Sequence, residues 1–515
     1  MAIATVASEK LTIRSNPRSV CTNEACHAAY GQITHRPTDG DTSRAGRAEV
    51  TLRDMEYRHH DLVVLGTGSG NSVITPEMDH FDIGLVERGR FGGTCLNVGC
   101  IPTKMFVLPA DRVLEARAAD RLGVHVDGVR ADWPAIRDRI FGRIDPVAAD
   151  GEAHREKAEN VTVYREQGRF IGPMTFDTGT GVTVTADRWV IAAGGRPRLL
   201  EIDGLDRVDP DRGVHTSDTI MRMEELPERV AIIGGGYIAA EFAHILDGLG
   251  AHVTWVHRGA RLLEHEDEAI SDAYTALARQ RHDVRLRTTV TAARYDRGRW
   301  TLTGKVEDGG PTQIEGDAVL LAVGRVINTD LIDAHAAGLP CHDDGRLAVD
   351  AYQQTPVAGV FALGDICSEW QLKHVANHEM RVVKHNLLHP DEPVESDHRF
   401  VPHAVFTHPQ IAGFGKTEQE LRESGVDYRV SEQRVGDVAY GWALEDTTGF
   451  CKVLVEPRTR QLLGAHLMAP DASSLIQPLL QAAHFGQPAD DVAKGQYWIH
   501  PALAEVVENA LLELK

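Results

Sequence analysis

The chain has 515 residues, of which 42% are hydrophobic, enough to bury several cores and to build three or four globular units. A net charge of -21 argues against wrapping nucleic acid or lying on an anionic membrane, since both need a basic face. Seven cysteines, odd in number and scattered, make no disulfide framework, and no apolar run reaches membrane-spanning length, so a reducing cytoplasm is the expected compartment.

Residues 1–54 are polar, rich in Ser, Thr, Arg and Pro, and lack sustained apolar periodicity. They read as disordered or as an overlong gene model preceding Met55, with a transit peptide as the alternative. Cys21 and Cys26 lie in this stretch without any surrounding frame, and their spacing is read as chance.

Ordered chain is expected from Asp61-Leu62-Val63-Val64-Leu65, an apolar run suited to a buried parallel strand. It leads into Gly66-Thr67-Gly68-Ser69-Gly70-Asn71. Glycines in such a strand-to-helix turn let the backbone approach a pyrophosphate. Glu87 stands at the end of a second predicted strand, 81–86, about twenty residues on, where a carboxylate accepts from ribose hydroxyls. Asn71 replaces the third glycine of the pattern, and Pro76 is expected to shorten or kink the following helix.

Next comes Gly92-Gly93-Thr94-Cys95-Leu96-Asn97-Val98-Gly99-Cys100-Ile101-Pro102-Thr103-Lys104. A disulfide between two cysteines this close gains little chain entropy, so its value would lie in opening and closing. Two free buried thiols or half a metal site are the alternatives; zinc usually takes a Cys-x2-Cys pair and a second ligand pair, and neither is present. Residues 107–150 carry helical spacing, and 188–197 form a strand ending in Ala193-Gly194-Gly195.

A second nucleotide turn follows in Val230-Ala231-Ile232-Ile233-Gly234-Gly235-Gly236-Tyr237, again between an apolar strand and a helix. Two such units imply two dinucleotides. The companion strand 251–256 ends in His257-Arg258-Gly259-Ala260-Arg261, with no carboxylate. Arg258 and Arg261 can pair with a 2'-phosphate, which points to NADPH over NADH. Beyond these lie Val323-Gly324-Arg325, then Leu363-Gly364-Asp365. After about residue 400, strand-like runs (404–407, 450–456, 464–468) alternate with helical ones (473–485, 503–512). Near the end stands His500-Pro501-Ala502-Leu503-Ala504-Glu505, in which a histidine could exchange protons with a thiol near neutrality.

The segment from Gly92 to Lys104 resembles the redox-active segment of the pyridine nucleotide-disulfide oxidoreductases, and the other motifs follow in that family's order. The resemblance implies an α/β fold of two Rossmann-like dinucleotide-binding domains, for FAD and NADPH, the second inserted in the first, plus a C-terminal α+β dimerisation domain. The implied boundaries are 55–198 (FAD), 199–325 (NADPH), 326–399 (FAD return) and 400–515 (dimerisation). Cys95 and Cys100 would form the redox disulfide, Cys100 facing the flavin and Cys95 attacking substrate. Gly66, Gly68, Gly70, Glu87, Gly93, Thr94, Gly194 and Asp365 would hold FAD. Gly234, Gly236, Tyr237, Arg258, Arg261 and Arg325 complete the expected cofactor set, and Lys104 would pair with Glu241 beside the flavin. His500, oriented by Glu505, would serve the other subunit's disulfide in an obligate homodimer. Three runs (372–379, 436–442 and 495–500) resemble one branch of the family, whose substrate ends in an uncharged inositol-glucosamine unit. Absence of arginine from the helix expected after Gly70 also disfavours a carboxylate-rich disulfide.

Overall fold

A computed structural model describes residues 56–514; the reading of 1–54, with Cys21 and Cys26, lies outside them. Among the described residues no helix is long and apolar enough to cross a membrane. Leu62, Val63 and Val64 have no exposed surface, as expected for a strand covered on both faces. Their strand, Glu56–Leu65, lies between the parallel strands Ile83–Val86 and Val182–Ile191. Val161–Tyr164 extends one side of this sheet, while Val360–Ala362 pairs parallel to Val182–Ile191 and so returns to the sheet late in the sequence.

A second, five-stranded parallel sheet has the order Asp283–Arg285, His252–Val256, Arg229–Ile233, Ala318–Leu321, Val214–Thr216. The chain crosses between the two sheets through Gly195–Pro197 and back through Arg325–Ile327, which pair antiparallel as a short ribbon. Outward and return passages therefore run side by side, the geometry an inserted domain requires.

Gly66 follows the strand Glu56–Leu65 and Gly234 the strand Arg229–Ile233, with φ of 101° and 135°. At both, a Cβ would strike the carbonyl just beyond the neighbouring strand, that of Ala192 and Ala322 respectively. Only glycine fits either corner. After the first turn the expected helix is reduced to two single 3-10 turns, Gly70–Val73 and Pro76–Met78. Thr75, before the proline, is driven extended (φ -127°, ψ 166°), and this ends any helix at that point. The second turn has no such proline, and Tyr237–Leu249 is a full helix.

The C-terminal portion is a five-stranded antiparallel sheet in the order His403–Val405, Gln410–Gly415, Leu462–Ala469, Phe450–Val455, Arg429–Arg434. Gln410–Gly415 and Arg429–Arg434 were not expected from the sequence pattern. The helical run 473–485 divides into Ala472–Leu475 and Gln477–His484, with Pro478 in the first turn of the second helix. Glu505–Leu512 packs its buried Val506, Val507, Ala510 and Leu511 into this domain's core.

Candidate functional site

Cys95 sits on the short Gly93–Asn97 helix, and Cys100 is the first residue of the Cys100–Arg117 helix. The turn between them is held by Asn97, whose amide donates to Phe91 O at 2.9 Å and Gly93 O at 3.0 Å. Cys95 and Cys100 face one another across this turn. The hydrogen bond they share brings Cys95 down to about 7 and pushes Cys100 above the ordinary thiol range. Cys100 occupies a helix N-terminus, where the macrodipole also favours a thiolate. The pair thus gains one negative charge, on Cys95, as pH rises through about 7.

Both thiols open onto a cavity of about 400 Å³. Its wall runs from Gly66, Gly68 and Glu87 through Gly93 and Thr94 to Gly194 and Asp365. Gly70 lies outside this lining, buried behind the turn, where a Cβ would meet that of Ala192 at 2.6 Å. Glu87 accepts from Thr67 N at 2.9 Å and Thr67 Oγ1 at 2.7 Å, which fixes the glycine turn to the neighbouring strand end. Asp365 faces the cavity; desolvation raises its carboxyl pKa and Arg325, 3.8 Å away, opposes the rise. A partly buried carboxylate, a backbone-lined turn and a dithiol on one wall fit a flavin dinucleotide: the turn would take the pyrophosphate, Glu87 ribose hydroxyls and Asp365 ribityl hydroxyls. Arg325 also donates to Gly195 O at 2.7 Å, so it binds the two crossing strands together.

Lys104 and Glu241 do not meet as an ion pair, which corrects the sequence expectation. Phe406, from the C-terminal portion, stands between them: the Lys104 ammonium lies 3.9 Å from the centre of its ring, and its N–H donates to Glu241 Oε1 at 2.9 Å. Desolvation pushes Glu241 up to about 7, against the pull of the Phe406 N–H and Lys104. Tyr237, one turn before Glu241 on the same face, is 44% exposed.

At the second nucleotide turn, Trp255 donates its indole N–H to Gly234 O at 2.5 Å, and a Cβ on Gly236 would meet open space. Arg258 is exposed and free to meet a phosphate. Arg261 reaches Glu268 at 3.2 Å and Asp272 at 3.3 Å on the following helix, in ion pairs that are partly exposed. The arginine-free stretch after Gly70 also receives an arginine from elsewhere. Arg155 bonds Asn71 Oδ1 at 2.8 Å and the carbonyls of Asn71 and Ile74 at 2.9 Å, so its guanidinium is committed to the backbone.

His500 Nδ1 and Glu505 Oε1 are 2.7 Å apart, and Glu505 Oε2 accepts from Ala502 N at 3.1 Å. The His500 side chain is 69% exposed while Glu505 is mostly covered. His500 does not line the cavity that holds Cys95 and Cys100. Tyr497 and Ile499 beside it are also exposed.

The family model of the pyridine nucleotide-disulphide oxidoreductases matches residues 60–379, and the model of that family's dimerisation domain matches 401–511. The chain belongs to the pyridine nucleotide-disulphide oxidoreductases. It is 49% identical over 468 residues to mycothione reductase of Mycobacterium tuberculosis (strain H37Rv), covering 88% of this chain and 99% of the relative. Dihydrolipoyl dehydrogenase of Chlamydia muridarum is 31% identical, with 88% of this chain and 96% of that protein aligned. Among solved structures, the HOCl-induced flavoprotein disulfide reductase RclA of Escherichia coli superposes with a TM-score of 0.77 at 25% identity, over 88% of this chain and all of that one.

This member of the family is an oxidoreductase whose cofactors are FAD and NADPH, and it carries the family's dimerisation domain. Three contributors to the site have no signature in the sequence. Phe406 separates two charges from a distant part of the chain, Asn97 braces the cysteine turn, and Lys373 donates to Ser69 Oγ at 2.7 Å on the cavity wall. The run 372–379 drew notice as a resemblance, but nothing in it marks Lys373 as facing the first glycine turn.

Proposed function

We propose that this enzyme reduces mycothione, the disulfide of mycothiol, to two molecules of mycothiol in the cytoplasm. The observation that carries the reading is its 49% identity to a mycothione reductase along nearly that protein's whole length.

Bound FAD, taking hydride from NADPH, would supply the electron pair that opens the Cys95–Cys100 disulfide. The Cys95 thiolate then attacks one sulfur of the substrate disulfide, forming a mixed disulfide and expelling the first thiol. Protonated His500 of the second subunit gives that leaving thiolate its proton, with Glu505 fixing the imidazole through Nδ1 so that Nε2 faces the reaction. Cys100 attacks Cys95 sulfur, which breaks the mixed disulfide, restores the Cys95–Cys100 bond and releases the second thiol. Lys104, one turn after Cys100 on the same helix and coupled to Glu241 through space, places a positive charge near the redox pair. Arg258 is the side chain proposed to select the 2'-phosphate of NADPH; Arg261, spent on two carboxylates, supports the turn instead.

The test is NADPH oxidation by the purified enzyme with mycothione, glutathione disulfide and lipoamide side by side, repeated with NADH. Preference for mycothione with NADPH is the expected result. Preference for lipoamide with NADH would place the enzyme with the dihydrolipoyl dehydrogenases, and preference for glutathione disulfide with the glutathione reductases.

A further inference from the structure

Lys373 opens the Lys373–Leu388 helix, and its ammonium donates to Ser69 Oγ at 2.7 Å. Ser69 Oγ in turn donates to Asn377 Oδ1 at 3.3 Å, one turn further along that helix. The lysine is thereby fixed against the first glycine turn. Gly68, next to Ser69, packs so closely on Gly93 that a Cβ there would stand 2.7 Å from Gly68 Cα. Gly93 begins the short helix that carries Cys95. A chain of direct contacts therefore runs from Lys373 to the redox helix, and Lys373, Ser69, Gly68, Gly93 and Cys95 all line the same cavity. Ser69 takes one of three ammonium donors; the others remain available on that wall.

We propose that Lys373 is the fixed cation of the redox pair, stabilising through its charge the thiolate that Cys95 becomes when the disulfide is opened. Opening adds two electrons and up to two protons across the S–S bond; when Cys95 keeps its electron pair without a proton, a cation on the same wall favours that state over the disulfide. Lys373 acts on Cys95 through space and forms no bond to substrate. The hydrogen bond from Cys100 does most to lower Cys95, burial opposes it and the Lys373 charge adds to the lowering, while Cys95 itself does most to raise Cys100 and Glu241 adds to that rise. The inference rests on Cys95–Cys100 being the redox pair, and its test reads the ionisation of one thiol, so a mistaken substrate would leave it standing.

The experiment compares holoenzyme with Lys373→Gln and Lys373→Arg, each reduced and treated with iodoacetamide across a pH series, with alkylated Cys95 quantified by peptide mass. Glutamine keeps an N–H for Ser69 and removes the charge, whereas arginine keeps the charge. Expected are several-fold slower Cys95 alkylation in the glutamine variant near pH 6.5, a profile displaced to higher pH, and an arginine variant that follows the native curve. A glutamine profile superimposed on the native one would overturn the proposal. Salt dependence of the native profile serves as a second reading should the glutamine variant not fold: displacement to higher pH with rising salt supports a through-space cation, and a profile indifferent to salt refutes it.

Discussion

Two sulfurs separated by one turn of chain act here as a single titrating unit. Because Cys95 is brought from the ordinary thiol range down to about 7, its thiolate is present above that pH and lost below it. The rate of the disulfide half-reaction should therefore climb through pH 7, measured by stopped flow with pre-reduced enzyme. Cys95→Ser should still accept hydride from NADPH yet reduce no disulfide, and equal loss of both half-reactions would contradict the division of labour between the cysteines. Arg258 makes a separate prediction. A charge-assisted hydrogen bond to phosphate contributes about 1.5–3 kcal/mol, so Arg258→Ala should raise KM for NADPH by roughly tenfold or more and leave NADH use nearly unchanged. Arg261→Ala should affect both nucleotides alike, since that guanidinium is held by Glu268 and Asp272.

Among the structural elements, the strands and their glycine corners were the most legible in sequence, because a run such as Leu62 to Leu65 closing on Gly66 satisfies burial and backbone geometry together. The shortening expected of Pro76 in the helix after Gly70 is carried to its limit, since Thr75 must be extended and no α-helical turn survives. The edge strand Arg429–Arg434 escaped notice because its residues alternate exposed and buried around charged side chains. Asn97 acts locally, on Phe91 and Gly93, within the cysteine segment, whereas Lys373 and Phe406 could not be found at all, since their roles come from contacts between segments far apart in the chain. The same holds for a buried ionic junction between the second nucleotide domain and the C-terminal sheet, where Lys452 reaches both Asp267 and Glu418 at 2.7 Å. Lys452 and Asp267 are almost wholly enclosed. Lys452→Met would leave Asp267 buried without its cation and should cost about 3–5 kcal/mol, read from denaturant unfolding. Burial pushes Asp267 up, but Lys452 and the Glu418 N–H hold it below the usual carboxylate value. This contribution is accordingly complete above the carboxylate range and fades as pH falls through it.

For the whole molecule, His500 lies outside the lining of the cavity that holds the cysteine pair, and the exposed Tyr497 and Ile499 flank the histidine. If each active site takes its histidine from the second subunit, Cys95→Ser and His500→Ala homodimers are both inactive in disulfide reduction. After subunit exchange, their heterodimer holds one site with both native residues and one with neither. Mixing equal amounts should then restore about a quarter of native turnover, as two-fold symmetry requires. No recovery despite demonstrated exchange would place His500 at its own chain's disulfide.

The Lys452–Asp267 contact also constrains how such a protein can be recombined. The two residues are 185 positions apart, one at the N-terminus of the Glu268–Arg281 helix and the other in the strand Phe450–Val455, yet the buried Asp267 carboxylate is balanced by the Lys452 ammonium. A chimera that takes its last hundred or so residues from a relative lacking this lysine would inherit half of an ion pair, however well the surfaces matched. Segments of this chain that could be exchanged singly by shape are, by charge, transmissible only together.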